Sequence, residues 1–227
     1  MTDRTERELL TSTFAVIIGQ QRASDLTGTL SECFGRLTTL VESMSLPEHA
    51  SAAPESIRAL LACVPHICRI RTLERLGEHP LLDTLERAQE YVSALYAGSQ
   101  YEQLCLLCLD KDLHLLECCR VNQGSLKEVS FYPRRLFQEA LTRRARAVLL
   151  CHNHPSNWAY FSEFDVSSTR ELISLCTQNN IYLLDHLLIC GDRISSMRSR
   201  TYIPEKEWRP AGSPAIPLSQ WRSGSGR

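Results

Sequence analysis

The chain has 227 residues, 43% of them hydrophobic, and a formal net charge of −1. This length allows one sizeable hydrophobic core and a second, smaller one, while the balanced charge gives no support to a protein that lives on nucleic acid. The first residues, MTDRTERELL, contain no apolar signal-peptide core, and no run reaches the roughly 18 apolar residues of a membrane span, so we expect a cytoplasmic protein that makes no membrane contact.

The first part of the chain has the pattern of a small helical domain. Apolar residues recur at three- and four-residue spacings from about Leu26 to Met44, which predicts an amphipathic helix. Pro47 and Pro54 then mark a loop. Helical patterns resume in three segments, at residues 57–63, 67–76 and 81–96. We predict that residues 1–97 form an all-helical domain of about four or five helices.

A sheet domain is predicted after Glu102. Short apolar runs indicate strands at residues 104–110, 114–121, 125–132, 145–152 and 181–189, with a shorter sixth candidate at 193–197. Helices are predicted from Pro133 to about Arg146 and over residues 164–179. Strands interleaved with two helices give an α/β (α+β) fold, with a mixed sheet flanked by helices over residues 98–203.

The last segment, residues 204–227, is rich in proline, serine and glycine and offers little to bury. We predict that it is a flexible appendage. Trp208 and Trp221 are unusual in such a segment, and the sequence leaves open whether they dock on the domain or on a partner.

The ten cysteines lie mostly within apolar runs such as LCLLCL, where a reduced thiol behaves as a small buried hydrophobe. Cys105 and Cys108 form a CxxC, but residues three apart on a strand point to opposite faces, and a zinc knuckle would need a second pair of this kind. We therefore interpret the cysteines as core residues rather than as metal ligands or a disulfide framework.

The segment CHNHPSNWAYFSEFD, residues 151–165, carries the most informative side chains. His152 and His154 stand two apart at the end of an apolar strand, so their rings project to the same side. Two imidazoles placed in this way suit Zn²⁺, and a carboxylate such as Asp165 plus a water would complete an open, catalytic type of site. The alternative is that the histidines are ordinary surface or core residues and that Ser162 and Asp165 form a helix capping box. Spacing alone leaves both interpretations open.

The same residues match the signature H-x-H-x(7)-S-x(2)-D of the JAMM (MPN+) family at every fixed position, which are His152, His154, Ser162 and Asp165. Flanking phrases, among them HNHPS, LDHLLI and GSL, follow the order and spacing typical of RadC proteins. Residues 98–200 therefore resemble the RadC branch of that family. The resemblance implies a JAMM/MPN domain with Zn²⁺ held by His152, His154 and Asp165. It also implies hydrolysis of an amide bond, often an isopeptide bond, in a protein or peptide substrate.

The JAMM pattern also includes a glutamate ahead of the first strand of the domain. The phrase YEQL stands where RadC proteins have a phrase resembling QEHF, so the match is Glu102. The rival is Glu117, a strand residue without a counterpart in the motif. The resemblance implies that Glu102 accepts a proton from the attacking water and that Ser162 donates a hydrogen bond to the oxyanion.

The loop that precedes Ser162 departs from the family pattern. Asn157 replaces a glycine, and three aromatic residues, Trp158, Tyr160 and Phe161, replace smaller ones. Asparagine tolerates left-handed backbone conformations, so we expect the turn to persist. The aromatic side chains are expected to make the rim of the cleft bulkier and more apolar. They would either narrow the substrate range or close the site, and the second outcome gives an alternative function, a catalytically silent JAMM-like binding module.

The N-terminal domain departs from the family as well. In RadC proteins it resembles a helix-hairpin-helix module whose glycines present backbone N–H groups to DNA phosphates. Here the corresponding phrase is VPHICRIRTLERL, residues 64–76, with His66 and Cys68 in place of the glycines. Their side chains obstruct the close approach of a phosphate. We therefore expect a degenerate helix-hairpin-helix-like domain, and a DNA-repair accessory protein of the RadC type stands as a less favoured alternative.

Asp185 and His186 are polar residues within an apolar predicted strand. RadC proteins share this pair, but the JAMM signature does not use it. We expect both residues to have a structural role, His186 as a core residue or as one that supports the metal ligands.

Overall fold

The computed structural model describes residues 3–34, 53–123, 132–155, 158–191, 193–208 and 221. Its contacts group into two compact units, residues 1–70 and 71–227. Most of the strand predicted at residues 125–132 lies outside the described residues, as does Asn157. None of the described helices is long and apolar enough to cross a membrane.

The N-terminal unit is helical, as the apolar spacing predicts. Helix α1 spans Asp3–Ile18 and helix α2 spans Gln20–Phe34. Gly19 joins them at φ +83°, a left-handed conformation that glycine adopts without strain. Helix α3 spans Glu55–Leu76. The core of the unit is formed by apolar side chains of the three helices, including Phe14, Leu30, Ile57 and Leu61.

Helix α3 is continuous, which corrects the sequence-based prediction for this stretch. The sequence predicts two helices separated near Pro65, but residues 55–76 form one helix with this proline inside it. His66 and Cys68 therefore stand in helical backbone and not in a hairpin turn. Without glycines, no residue here favours a positive φ, so the helix continues, although Pro65 cannot donate a backbone hydrogen bond. The predicted hairpin-like turn is absent from this described stretch.

The second unit is built on a five-stranded mixed sheet, which confirms the predicted fold class. The strands are β1 Gln103–Leu109, β2 Leu115–Gln123, β3 Ala147–Asn153, β4 Tyr182–Cys190 and β5 Arg193–Ser196. Their order is β2-β1-β3-β4-β5, and β3 and β4 are parallel while the other neighbours are antiparallel. The helices of this unit are α4 Leu85–Tyr96, α5 Pro133–Thr142, α6 Glu163–Gln178 and α7 Glu205–Trp208.

Helices cover both faces of the sheet. Val92 of α4 packs in one apolar cluster with Leu107, while Leu136 of α5 and Leu172 of α6 pack in a second cluster against the other face. Strands buried on both faces carry apolar residues at nearly every position, which explains the continuous apolar runs of β1 and β3. Because α4 belongs to the core of the sheet, the second compact unit begins ahead of the boundary predicted at residue 98. The division into 1–97, 98–203 and 204–227 itself stays a prediction.

The CxxC of β1 is a pair of core residues, as predicted. Cys105 belongs to the cluster under α4 and Cys108 to the cluster under α5 and α6, so the two thiols lie on opposite faces of the sheet. Both are fully buried and are free thiols.

Two tryptophans of the last segment are packed on the second unit, which answers the question that the sequence leaves open for them. The flexibility predicted for the segment itself stays a prediction. Trp208 ends α7 and is 2% exposed. Its Nε1 donates to the carbonyl of Ile203 at 3.1 Å, and the guanidinium of Arg198 lies 5.6 Å from its ring centroid. Trp221 is 1% exposed and its Nε1 donates to Asp185 Oδ2 at 3.4 Å.

Asp185 of β4 is fully buried, and its carboxylate accepts hydrogen bonds from several neighbouring groups. Its Oδ1 accepts from the backbone N–H of His186 at 2.7 Å and of Arg198 at 3.0 Å. Its Oδ2 accepts from the hydroxyl of Ser196 and from the indole of Trp221. Burial raises the pKa of Asp185 to about 6, against the lowering effect of these hydrogen bonds. The contacts agree with the structural role predicted for Asp185.

Replacing Asp185 with asparagine is expected to lower the free energy of unfolding by about 2 kcal/mol. The new amide would direct N–H groups at the partners of Oδ2, and although the hydroxyl of Ser196 can turn to accept, the indole N–H of Trp221 cannot. Urea unfolding followed by tryptophan fluorescence measures the change. Asp112→Asn, which alters an exposed pair with Lys111, is the control and is expected to change stability little. An Asp185→Asn midpoint equal to that of the wild type would contradict this assignment.

Candidate metal centre

The two motif histidines lie where β3 leaves the sheet. His152 is paired in register with Leu104 of β1 and Leu188 of β4. His154 follows the strand, and its backbone N–H still donates to the carbonyl of Ile189 at 2.9 Å. The extended backbone projects both rings to the same side, and their Nε2 atoms are 3.1 Å apart. His152 is 2% exposed, whereas the side chain of His154 is 18% exposed, so the pair extends from the core toward the surface.

Two carboxylates approach the histidine pair. Glu102 stands directly before β1, and its Oε1 lies 4.0 Å from His154 Nε2. The possible ligand atoms of Glu102, His152 and His154 all lie within 4.8 Å of one another. Asp165 Oδ1 lies 3.9 Å from His152 Nε2. The structure thus brings together the sequence-predicted residues, with Glu102 grouped with both histidines and Asp165 facing His152.

A helix capping box holds the carboxylate of Asp165. Ser162 is the N-cap of α6, and its Oγ accepts from the backbone N–H of Asp165 at 3.1 Å. In return, Asp165 Oδ2 accepts from both the backbone N–H and the hydroxyl of Ser162, each at 2.7 Å. The two interpretations of this segment are therefore compatible, because the capping box fixes a carboxylate whose other oxygen faces His152. In this arrangement the hydroxyl of Ser162 donates to Asp165, and its role toward an oxyanion stays a prediction.

Glu117 lies away from the histidines. It is paired in register with Cys108, which is roughly 13 Å along β1 from Leu104, the partner of His152. Its Oε2 is 2.9 Å from Nε of Arg143. The structure therefore brings Glu102, and not Glu117, to the candidate site.

The surroundings of His152 favour a neutral ring. Burial lowers the pKa of His152 to about 4, and the nearby carboxylate of Asp165 offsets only part of this effect. Its Nδ1 lies 2.7 Å from Nε2 of His186, whose own pKa burial lowers well below the usual value. A neutral imidazole keeps the lone pair that a metal ligand needs.

The metal-free protein is expected to lose stability as the pH falls from about 6.5 to about 4. Because the pKa of His152 is lowered in the folded state to about 4, the unfolded chain binds more protons in this window and is favoured by acid. His186 acts in the same direction. Asp185 opposes both, since its pKa, raised to about 6, makes protonation favour the folded state.

Urea unfolding of the wild type and of His152→Gln between about pH 7 and about pH 4.5 isolates the contribution of His152. The wild type is expected to lose up to about 1.4 kcal/mol more per pH unit than the variant, which is the slope for one proton. Equal slopes would contradict a neutral His152 in the folded protein.

The donor set fits a divalent metal ion. His154 Nδ1 lies 2.8 Å from the carbonyl oxygen of Trp158. A carbonyl only accepts, so in the neutral ring Nδ1 carries the hydrogen and Nε2 presents its lone pair to the site. Two imidazole nitrogens beside carboxylate oxygens form a donor set typical of zinc and of similar transition metals.

Two exposed aromatic residues follow His154 closely in the sequence. Trp158 is 71% exposed and Tyr160 is 65% exposed. With Arg193 and Arg200 they line a cleft of about 390 Å³. The lining residues of this cleft include neither the histidines nor the carboxylates of the candidate site. The bulkier rim that the sequence predicts around the metal centre therefore stays a prediction.

Phe161 and Thr169 contact the buried histidines His152 and His186, and the sequence did not predict these contacts. Phe161 was expected at the rim, but it is 7% exposed and its ring centroid lies 5.9 Å from that of His152 and 5.1 Å from that of His186. The hydroxyl oxygen of Thr169 lies 2.8 Å from His186 Nδ1. The available signal was helical spacing, which places Thr169 one turn after Asp165 on the same face of α6.

Comparison with known proteins identifies the family of the chain. The family model described as a RadC-like JAB domain matches residues 82–202. A UPF0758 protein of Bordetella petrii is 33% identical over 156 residues, which cover 69% of this chain and 68% of the relative. A UPF0758 protein of Janthinobacterium sp. is 29% identical over 201 residues, which cover 88% of this chain and 89% of the relative. A UPF0758 protein of Shewanella frigidimarina is 28% identical over 200 residues, which cover 87% of this chain and 88% of the relative. The chain therefore belongs to the RadC-like JAB domain family.

Proposed function

We propose that the protein is a zinc-dependent hydrolase that cleaves amide bonds, among them isopeptide bonds, in a protein or peptide substrate. In this proposal Zn²⁺ is held by His152, His154 and Asp165. The observation that carries the proposal is the pair of imidazole Nε2 atoms 3.1 Å apart, with a carboxylate oxygen 3.9 Å from one of them. Membership of the RadC-like JAB domain family supports the same chemistry.

Asp165 is assigned as the third ligand and Glu102 as the proton acceptor. The carboxylate of Asp165 is 16% exposed and is held in place by two hydrogen bonds from Ser162, which suits a fixed ligand. The side chain of Glu102 is 37% exposed at the mouth of the site. That position suits a group that must reach both a water molecule and the substrate.

The residues divide the chemistry between them. When bound, Zn²⁺ supplies the Lewis acidity that activates water and polarises the carbonyl of the substrate. Glu102 accepts a proton from the attacking water and delivers it to the leaving amine. Ser162 keeps Asp165 oriented, and its hydroxyl donates to the oxyanion once it turns away from Asp165 Oδ2.

A catalytically silent binding module is the second candidate, and an exposed cleft lined by aromatic and basic residues favours it. Trp158 and Tyr160 lie beside Arg193 and Arg200 around one cleft, an arrangement that can hold a peptide without cleaving it. A DNA-repair accessory role has less support, because the net charge is −1 and residues 64–76 are helical where a phosphate-binding hairpin would be required.

Hydrolysis assays on the full chain test the proposed function. The zinc-loaded protein is expected to cleave at least one member of a panel of peptide and isopeptide-linked substrates. A chelator should abolish the activity and added Zn²⁺ should restore it. Cleavage that persists after chelation would contradict the metal mechanism, and zinc binding without cleavage of any panel member would support the binding module.

A further inference from the structure

Three buried side chains, one of them a motif histidine, form a row of hydrogen bonds that ends on helix α6. Nδ1 of His152 lies 2.7 Å from Nε2 of His186. Nδ1 of His186 lies 2.8 Å from the hydroxyl oxygen of Thr169, and that hydroxyl donates to the backbone carbonyl of Asp165 at 2.6 Å. His186 and Thr169 are fully buried, and His152 is 2% exposed. The contacts therefore form one chain from β3 through β4 to the first turn of α6.

The hydrogen bond from Thr169 to the carbonyl of Asp165 fixes the direction of the other hydrogen bonds in this row. The hydroxyl of Thr169 has a single hydrogen, which it gives to the carbonyl of Asp165, so it can only accept from His186. Nδ1 of His186 therefore carries a hydrogen, and in the neutral ring Nε2 carries a lone pair. That lone pair accepts the N–H of His152 Nδ1, and the lone pair of His152 is consequently at Nε2.

We propose that His186 and Thr169 are positioning residues that hold His152 in the tautomer whose Nε2 lone pair points into the metal centre. The opposite tautomer would set the lone pair of His152 Nδ1 against that of His186 Nε2, which is 2.7 Å away. It would also place a hydrogen on Nε2 and so remove the lone pair that a metal ligand must supply. This row of hydrogen bonds also ends on the backbone carbonyl of Asp165, so it links two of the proposed ligands, His152 and Asp165. The role toward a metal rests on the proposed function, whereas the tautomer does not.

The placement of His186 follows from strand geometry. His186 is paired in register with Leu150 of β3, two residues before His152. Successive residues of a strand point to opposite faces, so Asp185 faces Ser196 and Trp221 while His186 faces Thr169 on α6. The two polar residues of β4 thus have separate roles, and of the two roles that the sequence leaves open for His186, these contacts favour the support of a metal ligand.

Nitrogen NMR of the metal-free full chain tests the tautomer directly. Each ring of the seven histidines gives distinct ¹⁵N shifts for protonated and unprotonated nitrogens, and the His152→Gln spectrum identifies the signals of His152. We expect a protonated Nδ1 and an unprotonated Nε2 for both His152 and His186. A hydrogen on Nε2 of His152 would overturn the proposal.

Substitutions at Thr169 test the consequence for metal binding. Thr169→Val keeps the branched shape but removes the hydroxyl, and Thr169→Ser keeps the hydroxyl. We expect the valine variant to bind Zn²⁺ about 10- to 100-fold more weakly in a chelator competition and to show a mixture of His152 tautomers, while the serine variant returns both readouts toward the wild type. The control is Thr177→Val, the same change two turns later in α6, which is expected to alter neither readout.

The outcomes separate this proposal from the proposed function. Wild-type zinc affinity and a wild-type tautomer in a folded Thr169→Val protein would overturn the positioning role. A loss of affinity that serine does not restore would overturn it as well, because a general packing defect would then explain the loss. If the wild type binds no zinc, the proposed function fails, and the tautomers of His152 and His186 alone decide the positioning role.

Discussion

Replacing Glu102 with glutamine is expected to lower kcat/KM for hydrolysis by about 10² to 10⁴ while leaving zinc affinity within a few fold of the wild type. Glutamine has the size of glutamate but cannot accept a proton from water. The side chain lies at the mouth of the site, with Oε1 4.0 Å from His154 Nε2, so its main contribution is expected to be proton transfer. Zinc affinity and kcat/KM measured on the same preparations separate that contribution from metal binding.

The same experiment decides between Glu102 and Asp165 as the third ligand. Because Glu102 is grouped with both histidines within 4.8 Å, a large loss of zinc affinity in Glu102→Gln would contradict the assignment and make Glu102 a ligand. Glu117→Gln is the matched control. That carboxylate pairs with Arg143 away from the histidines, so the control is expected to leave both zinc affinity and turnover unchanged.

Replacing His154 with alanine is expected to weaken zinc binding by about 10² to 10³. Apparent binding free energies of protein zinc sites are about 10–16 kcal/mol, so the loss of one ligand among three or four costs about 3–4 kcal/mol, which corresponds to that factor. His154 suits this test because its side chain is partly exposed, and its removal leaves a smaller cavity in the core than the removal of His152 would. Chelator competition measures the affinity, and activity should fall in parallel.

His114→Ala is the control for this substitution. His114 lies before β2, and its side chain is 46% exposed beside Asp110, so its removal is expected to leave zinc affinity unchanged. Equal affinities for the wild type and His154→Ala would show that the two motif histidines do not act together as ligands.

The sheet and the histidine pair could be predicted because both depend on local patterns. Strand β4, predicted over 181–189, spans Tyr182–Cys190, since an apolar run with turn residues at both ends has few alternatives to a buried strand. Helix α5 begins at Pro133 as expected, because proline suits the first turn of a helix. The shared direction of His152 and His154 follows from the two-residue period of an extended chain.

The remaining features depend on contacts between distant parts of the chain or on packing that overrides local preference. Pro65 would ordinarily end or kink a helix, yet α3 continues through it. Trp221 is buried against Asp185, 36 residues away, which the composition of the last segment does not indicate. The hydrogen bond between Thr169 and His186 joins a helix to a strand, and the signature includes neither residue.

The zinc content of the purified full chain, measured by elemental analysis beside His152→Ala and Asp165→Asn, shows whether the site holds a metal ion at all. We expect about one zinc per chain in the wild type and none in either variant. A wild-type protein without zinc, even after reconstitution with Zn²⁺, would contradict the proposed hydrolase and leave a JAMM-like scaffold used for binding.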